Sequence, residues 1–486
     1  MENIEIIFSP LINMIKLIKK HFLFFLILAW SFILRLPGLA ARPIWHDEAF
    51  SIKLASLDLV SITSKTALDV HPPFYYYLLH FWIKIFGTSE IGVRSLSLIL
   101  GLFLILGVYI FTLKFFSKSI ALFSSFIVGI APFAIQYSQE TRMYMLASSL
   151  GIFSLYFLLK ALEKNKITSW IGYTLISIAF LYTHYFAFFG IFAQFLWVLI
   201  FKKINKSWLI SQFILFLSYL PWLPIFFNQA TRVKQGFWIP PVSFYSVPRT
   251  FFMFFFGSIP VKQIFLIAIV PFSLFILIYP LFLYKNLREK FFLLLIYLIT
   301  PFCFILALSP IRSLYIDRYF LIAAPAFWIF LGSCLGSFKS YKIKFYLLLF
   351  IFLLTGIGLF YWISLLAQNK IAFQDRRVVA RYVMSNYKPT NLILVTSPYI
   401  FFDFSYYLKY KVFLFSKEGI PNIPEASLLE ESDIIKNLKD LKGKVIFVVG
   451  YPNDPVFSEF RSFKLIEKQT LSGLEIRKYL YLKPYL

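Results

Sequence analysis

Long apolar runs separated by short polar stretches dominate the chain. About 20 residues at 1.5 Å rise per residue cross the hydrocarbon core of a bilayer, and about eleven runs approach that length. They predict helices near 22–40, 91–113, 119–136, 143–160, 169–185, 187–201, 208–227, 263–284, 291–309, 319–337 and 345–366. Residues 1–21 carry Lys16, Lys19 and Lys20 ahead of an apolar run, as a secretory signal does, but no small-residue cleavage site follows near residue 40. A retained first helix is the expectation.

The pattern changes in three places. Between the first two runs, residues 41–90 hold "FYYYLLHFWIKIF" (74–86), aromatic and amphipathic, which predicts a helix lying in the membrane interface. In 228–262, Pro240, Pro241, Pro248 and Pro260 rule out a continuous helix. After residue 366 the apolar runs shorten. "QDRRVVARYVMSNY" (374–387) predicts an amphipathic helix, and "NLILVTS" (391–397) and "KVIFVVG" (444–450) predict buried strands. "ASLLEESDIIKNLKDL" (426–441) predicts a helix between those strands, and "LEIRKYLYL" (474–482) another strand. The expected architecture is therefore a polytopic α-helical membrane domain, 1–366, followed by a small α/β domain, 367–486, large enough to fold alone.

Composition supports this reading. Hydrophobic residues make up 59% of the 486, charged residues only 15%, and Phe alone occurs 62 times. A soluble domain is about 25% charged. The net charge of +25 would suggest nucleic acid on a soluble protein, but here it concentrates in short loops. "KFFSK" (114–118), "KALEKNK" (160–166), "FKKINK" (201–206), "YKNLREK" (284–290) and "FKSYKIK" (338–344) alternate with the runs as cytoplasmic loops do. Asp47, Glu48, Asp58, Asp69, Glu90, Glu140 and Asp317 then fall on the outer side, as does the α/β domain. The partners implied are a lipid bilayer and not a nucleic acid. Cys303 and Cys334 sit inside apolar runs and support neither a disulfide framework nor a cysteine metal site.

Candidate chemistry gathers at outer helix ends. Asp47 and Glu48 lie in "WHDEAF" (45–50), just past the first run, where a carboxylate could serve as general base toward an incoming hydroxyl or simply be solvated. Asp69 and His71 lie in "DVHPP" (69–73), whose prolines stiffen the backbone. A carboxylate and an imidazole could ligate a divalent metal or hydrogen-bond one another, and two groups are too few to assert a metal. "QYSQETRMYML" (136–146) brings Glu140 and Arg142 to the surface, and Arg suits a phosphate. "LYTHYFA" (181–187) adds His184, and "SPIRSLYIDRYF" (309–320) adds Arg312, Asp317 and Arg318, the last two being a simple surface pair on the plainest reading.

Taken together, "RLPGLAARPIWHDEAFS" (35–51), "DVHPPFYYYLLHFWIKIFGTSEIGVRSLS" (69–97), "YSQETRMYML" and "SPIRSLYIDRYF" resemble bacterial polytopic glycosyltransferases of the GT-C fold. The nearest group is the dolichyl-phosphate-mannose-protein mannosyltransferase-like one, with the aminoarabinose transferases acting on lipid A. The resemblance covers roughly 22–340 and is strongest in 35–97. It implies a bacterial inner-membrane enzyme with its site on the extracytoplasmic face. The donor would be a polyprenyl-phosphate-linked sugar and the acceptor a hydroxyl on a protein, glycolipid or envelope polymer. It implies Asp47 as catalytic base with Glu48 beside it. Asp69, His71, Glu140 and His184 would then help shape the substrate site, and Arg142, Arg312 and Arg318 would hold the donor phosphate. The resemblance demands no cofactor outright and allows a divalent metal. Some relatives bind a metal through a Glu and a His, and these residues do not single out a ligand set. The rival readings are a transporter or flippase, which would place ionisable groups near the bilayer midplane, and a non-catalytic envelope assembly protein.

Overall fold

The computed structural model describes residues 18–235, 238–338, 340–367, 375–421, 423–441 and 444–480. Each of the eleven apolar runs overlaps a helix. Six helical segments are long and apolar enough to cross a membrane: Phe22–Ala41, Glu90–Phe115, Tyr144–Lys164, Lys206–Lys234, Gln263–Leu283 and Lys285–Leu308. The others are shorter: Lys118–Ile130, Ile167–Leu181, Ala187–Ile200, Ala324–Ser337 and Ile351–Leu365.

Four runs expected to be continuous are interrupted beside a proline: 22–40 between Phe22–Arg35 and Gly38–Ala41 at Pro37, 208–227 by the 3-10 turn Leu220–Trp222 at Pro221, and the runs 119–136 and 319–337. The run 119–136 divides into Lys118–Ile130 and Pro132–Tyr137, with Ala131 extended at φ −60°, ψ 117°. Proline disfavours helical backbone in the residue before it and lacks the N–H that would bond to Val128. Arg35 supplies the missing donors. Its Nη1 donates to the Gly129 carbonyl at 2.8 Å and the Ser31 carbonyl at 2.9 Å, and its Nη2 to the Val128 carbonyl at 3.4 Å. Its Nε donates to Ser138 Oγ at 3.0 Å. The run 319–337 divides into a 3-10 segment, Asp317–Ile322, and the helix Ala324–Ser337, which has Pro325 in its first turn. In 228–262 the helices Leu223–Gln235 and Ser246–Phe256 flank the proline-rich stretch.

The chain forms two compact units. The helical unit comprises the described residues up to Pro37, Ser97–Gln139 and Met143–Trp362. The second combines Gly38–Leu96, Glu140–Arg142 and the described residues from Ile363 onward. The loop between the first two apolar runs thus groups with the C-terminal α/β region.

In the second unit, residues 41–90 fold as three short helices, His46–Ala55, Leu59–Ala67 and Phe74–Phe86. Asp58 caps the middle one, its Oδ1 accepting from the Val60 and Ser61 amides at 3.0 Å. Helix 74–86 matches the expected segment. Tyr75, Tyr76, Leu79 and His80 are buried, while Phe81, Ile85 and Phe86 are exposed.

The C-terminal strands are β1 (Leu392–Val395), β2 (Val412–Phe415), β3 (Ile434–Ile435), β4 (Val445–Gly450), β5 (Lys464–Leu471) and β6 (Leu474–Leu480). They form one mixed sheet in the order β3-β2-β1-β4-β6-β5. The first four are parallel, and β6 runs antiparallel to β4 and β5. Register aligns Leu394 with Phe413 and Val448. Leu394, Ile446, Val448, Phe457, Phe460 and Tyr479 make a core on one face. Ile393, Val395, Phe447 and Val449 are also buried, so β1 and β4 read as unbroken apolar runs. Ser472 and Gly473, both at positive φ, make the two-residue turn between β5 and β6.

The helix expected over 426–441 is not formed. Those residues make 3-10 turns around β3, because Ile434 and Ile435 pair with Leu414 and Phe415. Sheet pairing outweighs the helical propensity of "LLEES". Helix Arg376–Asn386 forms as expected (the first residue of the segment, 374, lies outside the described residues), and a helix at Pro398–Tyr407 adds to it.

Candidate active site

Asp47 and Glu48 occupy the first turn of helix 46–55, where the helix N-terminus favours negative charge. Their surroundings differ sharply. The Glu48 side chain is 0% exposed. Its Oε1 accepts from Arg94 Nε at 2.9 Å and the Thr141 amide at 2.9 Å, and its Oε2 from Arg94 Nη2 at 2.7 Å. Burial raises the proton affinity of Glu48, but Arg94, Arg42 and the Thr141 amide outweigh it and hold the carboxyl below its usual range.

Arg94 uses all five of its N–H donors. Besides the two bonds to Glu48, Nη1 donates to the Leu39 and Arg42 carbonyls at 2.8 Å, and Nη2 to the Pro43 carbonyl at 2.9 Å. One side chain therefore fixes the path of 39–48 and the orientation of helix 46–55. Arg94 stands in "EIGVRSLS", and its sequence signal was its cost: a charge inside an apolar run needs a partner.

Asp47 is less deeply buried. Its side chain is 15% exposed, and Oδ1 lies 2.8 Å from His46 Nε2. The main chain at Asp47 is anchored separately. Ser51 Oγ donates to the Asp47 carbonyl at 2.7 Å, and Arg142 Nη1 donates to the same carbonyl at 3.3 Å and to Ser51 Oγ at 3.0 Å. Glu140 lies 3.7 Å from Arg42. Residues 140–142 thus meet the loop at each position, through Glu140 to Arg42, Thr141 to Glu48, and Arg142 to Asp47 and Ser51.

Asp69 and His71 form their own pair, with Oδ2 3.3 Å from Nδ1. Among the described residues no three His, Cys, Asp or Glu side chains gather as a metal site. The pairs Asp69–His71 and His46–Asp47 each supply two groups, fewer than the three protein ligands typical of a catalytic zinc, and no step below runs through a metal.

His184, Arg312 and Arg318 belong to the helical unit. His184 is buried among the rings of Tyr144, Phe186 and Tyr319, and its Nδ1 accepts from the Phe186 amide at 3.1 Å. The Arg318 guanidinium lies 5.8 Å from the Tyr144 and Trp238 ring centres and 5.9 Å from that of Tyr319. The surface pair of Asp317 with Arg318 does not form. Asp317 is instead held by Arg249 at 2.8 Å and Thr250 at 2.6 Å. Arg312 is half-buried.

With this geometry in view, comparison with known proteins is informative. Residues 70–228 match the family described as dolichyl-phosphate-mannose-protein mannosyltransferase. The resemblance drawn from the sequence is borne out over this mannosyltransferase-type stretch, which includes His71, Arg94, Glu140, Arg142 and His184. No curated protein sequence matches the chain. Among solved structures, ArnT from Cupriavidus metallidurans in the apo state superposes with a TM-score of 0.65 at 12% identity, covering 94% of this chain and 97% of that one. The same protein bound to undecaprenyl phosphate gives 0.65 and 12%, covering 93% and 97%. The oligosaccharyltransferase AglB from Archaeoglobus fulgidus, in complex with an inhibitory peptide and a dolichol-phosphate, gives 0.52 and 12%, covering 89% and 70%. At these identities the likeness is one of fold. The chain is a multi-pass integral membrane protein with the ArnT-like fold.

Proposed function

We propose that this protein transfers a sugar from a polyprenyl-phosphate donor to a hydroxyl acceptor on the extracytoplasmic face of a bacterial inner membrane, with inversion at the anomeric carbon. The donor class is argued from the mannosyltransferase-type stretch and from the undecaprenyl phosphate and dolichol-phosphate bound by the ArnT and AglB structures. The acceptor is a protein, glycolipid or envelope polymer carrying a hydroxyl.

The observation that carries the reading is the division of labour between two adjacent carboxylates. Glu48 is locked to Arg94, while Asp47 keeps a partly exposed carboxylate on a fixed backbone. We assign Asp47 as general base and Glu48 as the residue that positions it. The acceptor O–H bond breaks as its oxygen attacks the anomeric carbon. The proton goes to Asp47, and the polyprenyl phosphate leaves with the electron pair of the glycosidic bond. A phosphate monoester is a weak base and needs cationic stabilisation rather than a proton, a role assigned to Arg142, Arg312 and Arg318. Asp69, His71, Glu140 and His184 are assigned to the substrate sites.

The test compares membranes carrying the wild type or Asp47→Asn at equal expression, supplied with labelled polyprenyl-phosphate sugars. Free polyprenyl phosphate released only by the wild type supports the reading. No release from any donor in native lipids with envelope acceptors present overturns it. Release with retained anomeric configuration overturns the single displacement.

A further inference from the structure

Helix 398–407 packs directly on helix 46–55. The His46 ring meets the Tyr399 ring edge-on at 4.9 Å, and Phe50 meets Phe402 at 5.6 Å. Lys53 lies over Phe401 and Phe402, 4.8 and 5.4 Å from their centres, with Asp433 3.9 Å away. His46 and Phe50 are four residues apart, as are Tyr399 and Asp403, so each pair shares one face of its helix. The face that carries His46 therefore meets the face that carries Asp403.

The same C-terminal segment grips the chain on either side of the carboxylates. Tyr407 Oη receives the Ile44 amide at 2.6 Å and donates to Glu90. Arg377 donates to the Ala40 and Ala41 carbonyls at 3.1 and 3.2 Å, and Tyr406 to the Thr88 carbonyl at 2.8 Å.

Within this contact Asp403 is anomalous. It is 4% exposed; Oδ2 accepts from Arg376 Nε at 2.8 Å, while Oδ1 has no hydrogen-bond partner among the described residues. A half-satisfied buried carboxylate is costly, and a purely structural residue would be better served by a leucine or an asparagine. Burial pushes its carboxyl up to about 6 despite Arg376, with His46 drawing it down and Asp47 pushing it up. Behind burial and Arg376, the charges of His46 and Asp47 make smaller contributions at Asp403, and by reciprocity Asp403 acts on each of them.

We propose that the C-terminal domain completes the catalytic centre, Asp403 being a positioning residue that holds the His46–Asp47 pair through the charge and orientation of the His46 imidazole. The proposal rests on Asp47 as base, and Asp403 itself touches no substrate. The ionised Asp403 favours imidazolium at His46, which keeps an N–H directed at Asp47 Oδ1. The other charges around the contact are Arg376 from helix 376–386, Lys53 from helix 46–55, Asp433 beside Lys53, and Arg142 on the Asp47 carbonyl.

The experiment uses the full chain in lipid nanodiscs as wild type, Asp403→Asn, Asp403→Glu and the double variant Arg376→Gln with Asp403→Asn. The double variant removes both charges of the buried Arg376–Asp403 pair and so separates the loss of the Asp403 charge from the imbalance the single change creates. The first readout needs no activity: the pH dependence of carbethoxylation at His46, resolved from the other four histidines by peptide mass. The midpoint is expected to fall by about half a unit or more in Asp403→Asn and in the double variant, and to stay near wild type in Asp403→Glu. The second readout is donor turnover. Here kcat is expected to fall about tenfold at neutral pH with KM for the donor little changed, and the wild-type inflection near pH 6 is expected to vanish. If Asp47-dependent turnover exists but neither the His46 midpoint nor the kcat profile moves in any variant, the positioning role is overturned and the transferase reading stands. If the wild type turns over no donor, the transferase reading fails, and an unmoved His46 midpoint would overturn the contact independently.

Discussion

Glu48 and Arg94 close on each other through two hydrogen bonds, 2.9 and 2.7 Å, with neither side chain exposed to solvent. Removing one partner of a buried pair leaves an uncompensated charge, at a cost of about 3–5 kcal/mol. Glu48→Gln is therefore expected to lower the melting temperature of the purified protein sharply and to reduce the folded fraction recovered from membranes. Asp47→Asn, at a partly exposed position, is expected to change stability by only about 0.5 kcal/mol while abolishing turnover. Thermal melting of both variants checks the contrast.

Acid and neutral pH act on this unit in opposite directions. Asp403, pushed up to about 6 from 3.8, binds its proton more tightly folded than unfolded. Its contribution is thus largest below pH 4 and is lost as pH rises through about 6, by ~1–3 kcal/mol. Glu48, held below its usual range, contributes above its unfolded pKa and is lost as pH falls below about 4. Stability is expected to peak near pH 5, and Asp403→Asn to flatten the decline between pH 5 and 7. Melting temperatures across pH 4 to 8 test this.

Arg318 faces three aromatic rings, a setting that a planar guanidinium exploits and an ammonium matches less well. If Arg318 holds the donor phosphate as proposed, Arg318→Lys is expected to raise KM for a polyprenyl-phosphate sugar by about tenfold, with a smaller effect on kcat, because the rings then orient a guanidinium better than an ammonium. Steady-state kinetics in nanodiscs with a defined donor measure both.

Helix 324–337 approaches helix 118–130 at Gly332, where a Cβ would stand 2.7 Å from the Ser124 amide nitrogen and 2.8 Å from its Cα. Backbone cannot yield as a side-chain tip can. Gly332→Ala is expected to cost about 1–3 kcal/mol by prising the helices apart. Gly356→Ala, where a Cβ meets nothing within 4 Å, is expected to be neutral or stabilising by about 0.5–1 kcal/mol. Detergent melting curves of the two variants make the comparison.

What the sequence by itself determined is local. Apolar run length located the helices, alternation and β-branched runs located β1, β4 and β6, and the aromatic period of 74–86 marked its helix. Acids and histidines in "WHDEAF" and "DVHPP" marked candidate positions for chemistry. These signals depend on neighbours in the chain, so they survive without knowledge of the path. The rest depends on residues far apart in sequence. That Glu48 is sealed by Arg94 while Asp47 stays partly exposed, that Ile434 and Ile435 pair as a strand against their helical propensity, that Asp317 takes Arg249 over its neighbour Arg318, and that helix 398–407 packs on helix 46–55 are all long-range outcomes. A buried ion pair is worth forming only where the whole fold removes water from both partners, and that desolvation is a property of tertiary structure alone.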